Sequence, residues 1–293
     1  MKKTETPRRV VVTGLGVVSP LGSDVETFWR RLVAGESGIG QVTRFDTTGY
    51  ATTIAGEAQG FKAEDYLDRK EVRRADLFVQ YAIGAAVQAV KQAGVSPETV
   101  DPTRYGVIVG SGIGGIATLE DQHRALLEKG PGRVSPFFIP MMISDMAAGQ
   151  ISIQLGAKGP NYCTVSACAS GAHAVGQAMR HIQSGEADVM IAGGAEAPVT
   201  PVSFAGFCSM KAMSTRNDEP ARASRPFDSQ RDGFVMSEGS GILVIEELEH
   251  AKRRGAPILA ELVGYGATGD AHHMTAPAPE GEGAARAMRA AIA

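Results

Sequence analysis

Three observations predict an α/β fold. Short β-branched runs end in glycine, Ala-rich stretches of helical periodicity alternate with them, and the 293 residues are 43% hydrophobic and 21% charged, enough for one large or two modest domains. "RRVVVTGLG", "RYGVIVGSG" and "ADVMIAGGAE" are the clearest strands. The first is apolar on both faces, the pattern of a buried parallel strand.

The elements follow in order. After "RRVVVTGLG" the turn "TGLGVVSPLG" carries G-x-G but not G-x-G-x-x-G, and Pro20 stands where a dinucleotide-binding helix would begin, so no dinucleotide site is read there. A helix is predicted near "SDVETFWRRLVAG", another over "LFVQYAIGAAVQAVKQAG", then the strand "RYGVIVGSG" and a long helix through "ATLEDQHRALLEKG". Beyond "SPFFIP", "MMISDMAAGQISIQLG" reads as one more helix, and "NYCTVSACASGAHAVGQAMRHIQSG" precedes the strand "ADVMIAGGAE". From Phe227, "FDSQRDGFVMSEGSGILVIEELEHAKRRG" predicts an antiparallel pair joined through glycines, followed by a short basic helix. "PILAELVGYGATGD" echoes "RRVVVTGLG" and suggests a duplicated half-domain whose second copy has just begun. The final "GEGAARAMRAAIA" is helical in pattern without a capping glycine or a following proline, and is expected to be a cut.

Composition excludes several functions. A formal charge of -3 argues against a general nucleic-acid binder. The three cysteines, Cys163, Cys168 and Cys208, are too few and too uneven for a disulfide framework, which fits a reducing cytosol. The apolar run near the N-terminus is too short for a signal peptide, and no stretch approaches the ~18 apolar residues of a membrane span. The expectation is a cytoplasmic protein with no membrane insertion.

Cys168 is the one sharp chemical feature. Placed just before a helix running towards Gln183, its sulfur would sit where unpaired N–H groups and the helix dipole favour an anion, and the thiolate is the nucleophile. Ala167, Ala169, Ser170, Gly171 and Ala172 keep bulk away from it. The alternative is a small buried hydrophobe in a tightly packed helix. His173, five residues on, lies about 140° around such a helix and points away; His173 and His181 read as structural or surface groups, His123 and His250 as members of solvated faces. His272 and His273 form a loop pair with no third ligand in a metal-binding spacing. No metal is expected.

The motifs together carry a family resemblance. "VVVTGLGVVSPLG", "GSGIGG", "SPFFIP", "TVSACASGAHAVG", "ADVMIAGGAEA", "STRND", "SRPFDSQRDGFVMSEGSG" and "DAHHMTAP" occur in order from Arg9 to the end. The chain resembles the β-ketoacyl-acyl-carrier-protein synthases, most of all the elongating type II enzymes of bacterial fatty-acid synthesis. The resemblance implies a thiolase-like, five-layered α-β-α-β-α core, with residues 1–250 as the N-terminal half-domain and 251–293 as the start of an incomplete second one. It also implies a homodimer, no cofactor beyond the phosphopantetheine carried by the substrates, and acyl carrier protein as partner.

Residue by residue, the resemblance implies that Cys168 accepts the acyl chain as a thioester before condensation with malonyl-carrier protein. Ile113, Phe138 and Phe207 would line the acyl pocket. Lys70, Arg73, Arg74, Arg133 and Lys211 would suit docking of an acidic carrier protein, although such a charge run alone is a solvated helix face. Asp270 and Thr275 would lie in the loop beside the pantetheine arm. The family's "HGTSTP"-, "KSMTGH"- and "GFGGTN"-like motifs are absent from the 293 residues, so this chain alone is not expected to condense. Alternatives are a type I or polyketide ketosynthase, or a non-condensing partner subunit, the last opposed by the cysteine itself.

Overall fold

In the computed structural model, which describes residues 8–293, strand β1 (Val10–Val18) leads to helix α1 (Val25–Val33), whose N-terminus is capped where the Asp24 carboxylate accepts from Thr27 N–H. A small antiparallel pair, β2 (Gly40–Gln41) and β3 (Ile54–Ala55), precedes the short α2 (Arg69–Val72), which opens with a reciprocal capping box between Asp68 and Glu71. The long α3 (Leu77–Ala93) ends on left-handed Gly94. Then come β4 (Tyr105–Gly110), α4 (Ile116–Lys129), α5 (Phe138–Met142), α6 (Met146–Leu155), β5 (Asn161–Tyr162), α7 (Ser170–Gln183) and β6 (Val189–Glu196). The last elements are α8 (Pro201–Ser209), β7 (Gly239–Glu247), α9 (Leu248–Arg253), β8 (Ala260–Leu262) and α10 (Glu282–Ile292).

Six strands form one sheet in the order β5-β4-β6-β7-β1-β8. Its strands send alternate residues to opposite sides. Val107, Val109, Ile191 and Val244 join the core beneath α3 and α6, with Phe78, Tyr81, Ile83 and Ile151. Ile108, Met190, Ala192 and Ile245 join the core against α7, with Ala174, Ala178 and Ile182. Helices therefore cover both faces, as the doubly apolar strands predict.

Three expectations need correction. β1 is buried as predicted but runs antiparallel to both neighbours, β7 and β8; only β4 pairs in parallel, with β5 and β6. Two-sided burial, not strand direction, is what its residues encode. The helix predicted at "MMISDMAAGQISIQLG" is two helices, because Ile143 is extended and the Met142 carbonyl accepts instead from Gly115 N–H at 2.9 Å. The predicted antiparallel pair from Phe227 is one strand, β7; Phe234 and Ser237 make only single bridges, to Met213 and Gly56.

The echo between the two glycine-ended strands has a packing basis. A Cβ on Gly14 or Gly16 would lie 2.0 or 1.8 Å from the carbonyl oxygens of Ala89 and Ala85 in α3. One on Gly264 or Gly266 would lie 1.8 or 2.0 Å from those of Ala291 and Ala287 in α10. At both places an alanine face presses on backbone that tolerates no side chain.

A half-buried and a fully buried acid tie distant segments together. The Arg104 guanidinium, by its hydrogen bond and against the cost of desolvation, holds the Asp188 carboxyl well below the usual carboxylate range, and Arg8 adds to this from the N-terminal segment. Glu246, fully buried, is opposed by desolvation, yet hydrogen bonds from Arg254, His250 and Thr13 outweigh that and lower its pKa. His250 is thus a mostly buried partner of Glu246, not part of a solvated face: its charged helix turns it inward.

Gly16→Ala should destabilise the chain by about 3 kcal/mol, the cost of forcing a methyl into packed backbone, seen as a lower urea midpoint at unchanged slope. Asp188 is depressed in the folded state, so its contribution is present above the ordinary carboxylate pKa of about 4 and is lost as pH falls through the lower folded value. Asp188→Asn should lower stability at neutral pH and flatten its decline in acid, measured by urea unfolding across pH; an unflattened decline would refute the assignment.

Candidate active site

The first turn of α7 lies directly on the ends of two strands. A Cβ on Gly110, the last residue of β4, would sit 2.3 Å from the Ser170 carbonyl, and one on Gly171 would sit 3.3 Å from the Cα of Gly194 in β6. Glycine at these positions lets helix backbone touch sheet backbone. The chain must then climb from β5 to the helix in a few residues, and it does so through a 3₁₀ turn, Ala167–Ala169, with Cys168 at its centre.

This turn is strained and braced. Ala167 has φ +50°, a left-handed conformation costing on the order of 1–3 kcal/mol for a residue with a Cβ. The buried Ser170 hydroxyl accepts from Ser166 N–H at 2.9 Å and donates to the Ala167 carbonyl at 2.6 Å, while Thr164 Oγ1 donates to the Ser170 carbonyl at 2.8 Å. His173 Nδ1 and Ser166 Oγ share a hydrogen bond of 2.6 Å, and Tyr265 stands edge-on to the His173 ring at 6.4 Å. His173 does not line the cavity on which Cys168 opens but bonds the loop two residues before it, at Ser166.

The outcome is an exposed Cys168 opening on a cavity of about 770 Å³ that Ile113, Glu196, Phe207 and Phe234 also line. A small buried hydrophobe it is not. Among the described residues its own N–H donates to no acceptor, which leaves an amide free beside the sulfur. Cys163 and Cys208 are half-buried; burial pushes the Cys163 thiol up. Glu238, which also lines the cavity, accepts from Tyr81 Oη and Ala58 N–H and pairs with Arg44, and burial, with Glu238 beside it, pushes the Tyr81 phenol far up.

A second cavity, of about 630 Å³, is lined by Leu119, Met142, Tyr162 and Cys163, and Ile113 belongs to both. Ile113 and Phe207 therefore join Cys168. Phe138 does not: it is the half-buried first residue of α5 and lines neither cavity. Lys70, Arg73 and Arg74 are exposed on and just after α2, the Arg74 guanidinium lying 4.3 Å over the ring of Phe137 beside Phe138. Arg133 ends a separate turn after α4, and Lys211 follows α8; both are exposed.

Asp270 and Thr275 lie in an exposed loop. The Asp270 carboxylate accepts from Ala278 N–H at 2.8 Å, and His273 Nδ1 accepts from Thr275 and Ala276 N–H, so His273 closes a local turn. Among the described residues no group of three His, Cys, Asp or Glu side chains could hold a metal, and no helix is long and apolar enough to cross a membrane. Sequence reasoning missed Glu196, whose carboxylate accepts from Ser111 Oγ, Gly112 N–H and Ile113 N–H. Its place at the end of the strand "ADVMIAGGAE", on the edge that carries the cysteine turn, was the available signal.

Residues 7–251 match the family described as "Beta-ketoacyl synthase, N-terminal domain", and residues 259–293 that described as "Beta-ketoacyl synthase, C-terminal domain". The chain belongs to the β-ketoacyl synthase family. It is 56% identical over 285 residues to the 3-oxoacyl-[acyl-carrier-protein] synthase 2 of Staphylococcus aureus strain COL, covering 97% of this chain and 69% of that protein. Among solved structures, a β-ketoacyl synthase from Burkholderia phymatum STM815 superposes with TM-score 0.88 at 38% identity, over 97% of this chain and 70% of that one. A type II polyketide ketosynthase in complex with its acyl-carrier protein superposes at 0.85 with 36% identity, over 98% and 69%. The fold is the thiolase-like ketosynthase fold that the motifs implied.

Removing the imidazole should loosen the Cys168 turn. His173→Ala should slow alkylation of Cys168 by iodoacetamide about tenfold, the scale on which thiol placement governs reactivity, and His173→Asn, which can still reach Ser166, should restore most of the rate. Equal rates in all three proteins would show that the brace does not position the sulfur.

Proposed function

We propose that this chain supplies the acyl-accepting half of a 3-oxoacyl-[acyl-carrier-protein] synthase that elongates fatty acids. The observation that carries the reading is Cys168, held exposed on a braced turn at the start of α7 and opening on a large, mainly apolar-lined cavity. The relative at 56% identity bears that synthase's name, whereas the polyketide ketosynthase stands at 36%, which favours fatty-acid over polyketide elongation.

In the first step the Cys168 thiolate attacks the thioester carbonyl of an acyl-carrier protein. The new C–S bond forms, the free Cys168 N–H stabilises the developing oxyanion, and the carrier's pantetheine thiol leaves and takes a proton. In the second, malonyl-carrier protein breaks its bond to the terminal carboxylate and releases carbon dioxide. The resulting carbanion attacks the Cys168 thioester, forming a C–C bond, expelling the cysteine sulfur and leaving a 3-oxoacyl chain two carbons longer on the carrier. Condensation needs the family's two histidines, whose motifs the 293 residues do not contain; acyl transfer to Cys168 is the part this chain's residues address.

The remaining assignments belong to the same reading. Ile113, Phe207 and, from outside the two cavities described above, Phe138 belong to the acyl pocket, and Asp270 and Thr275 flank the pantetheine arm. Lys70, Arg73, Arg74, Arg133 and Lys211 receive the acidic carrier protein, the partner named for the polyketide ketosynthase structure. The half-domains meet near residue 250, the assembly is a cytoplasmic homodimer, and no cofactor is required beyond the substrates' own phosphopantetheine.

Incubated with an acyl-loaded carrier protein, the chain should gain one acyl mass, localised to Cys168 by peptide mass spectrometry, and Cys168→Ala should gain none. An acyl group carried covalently by another residue in that variant would overturn the reading.

A further inference from the structure

The turn that carries Ile113 is tied down from three sides, and the strongest tie is a carboxylate. Glu196 accepts from Ser111 Oγ at 2.8 Å, from Gly112 N–H at 2.6 Å and from Ile113 N–H at 3.2 Å. Consecutive N–H groups converging in this way form an anion-binding concavity, and here the anion is a side chain of the neighbouring strand. Ser111 N–H donates to the Thr164 carbonyl at 3.3 Å, and Gly115 N–H to that of Met142 at 2.9 Å. A Cβ on Gly112 would lie 2.9 Å from Glu196 Oε2 and 3.4 Å from the Cα of Ala167, so the turn is seated between the carboxylate and the residue before the nucleophile.

Ile113 is also the side chain common to both cavities. Its backbone is held at the amide by Glu196, while its side chain lines both the cavity on which Cys168 opens and the second cavity. We infer that Glu196 is a positioning residue for acyl-chain length: by anchoring the 111–113 turn it fixes Ile113 as the divider between the cavities. The inference rests on the reading of Ile113 as part of the acyl pocket.

The test uses the 293-residue chain and a series of N-alkyl iodoacetamides with short to long alkyl groups. The Cys168 thiolate displaces iodide, a C–S bond replacing the C–I bond, and the rate constant for each chain length is measured by intact mass. In the parent protein the long reagents should lag the short ones. In Ile113→Ala the ratio of long-chain to short-chain rate constants should rise about tenfold, the scale of steric discrimination in an apolar pocket. Glu196→Ala should raise it similarly, and Glu196→Gln, which places an NH₂ against N–H donors, by a smaller factor. The Glu196→Ala, Ile113→Ala double variant should show no further rise, because both act through one side chain.

If Glu196→Ala does not fold, Glu196→Gln and Ser111→Ala carry the comparison. A shifted ratio in Ile113→Ala with an unshifted ratio in folded Glu196→Gln and Ser111→Ala would overturn the role of Glu196 alone. An unshifted ratio in Ile113→Ala would overturn the acyl-pocket reading beneath it. Full additivity in the double variant would show that Glu196 acts elsewhere.

Discussion

Everything at the active site depends on one steric condition: the first turn of α7 must touch the ends of β4 and β6 backbone to backbone. Gly110 meets that condition because a side chain there would overlap the Ser170 main chain, and Gly171 and Gly194 because an added Cβ on either would crowd the other's backbone at 3.0–3.3 Å. The contact leaves too little room for a relaxed approach to the helix, so the chain enters through left-handed Ala167. The exposure of Cys168 is a by-product of that geometry. The strain is offset by the Ser170, Thr164 and His173 bonds, none of which belongs to a regular helix or sheet.

Polar groups work in the same way elsewhere in the molecule: partly or fully buried carboxylates tie together segments distant along the chain. Asp188 gathers Arg8 and Arg104, Glu246 gathers Thr13, His250 and Arg254, and Glu238 gathers Arg44, Tyr81 and the Ala58 amide. Each is fully partnered, the condition under which a buried charge is tolerable. Glu196 and Glu238 both line the cavity beside Cys168, and Glu196 differs from the others in binding mostly backbone.

Much of the fold was legible in the sequence because burial on two faces leaves a plain signature in β-branched runs, and helical periodicity is equally plain in "LFVQYAIGAAVQAVKQAG". Strand direction was not legible, since the residues of β1 satisfy a parallel or an antiparallel partner alike. Nor was the break after α5, which depends on the distant Gly115 amide taking the Met142 carbonyl. At the site, the family motifs pointed to Cys168, and composition around it pointed to access. Glu196 and the contact between His173 and Ser166 stayed hidden because both depend on which loop folds over a strand end, and spacing along the chain carries no such information. Phe138 was placed by motif alone, and its distance from the cavities is a matter of tertiary arrangement.

The repeated seating of alanine faces on glycine backbone, at Gly14 and Gly16 under α3 and at Gly264 and Gly266 under α10, has a mechanical consequence. Where two elements meet through side chains, rotamer changes can absorb small displacements. Where they meet through main chain, no soft layer lies between them. Helix and sheet then move as one stiff plate, and compliance is confined to the loops at its rim.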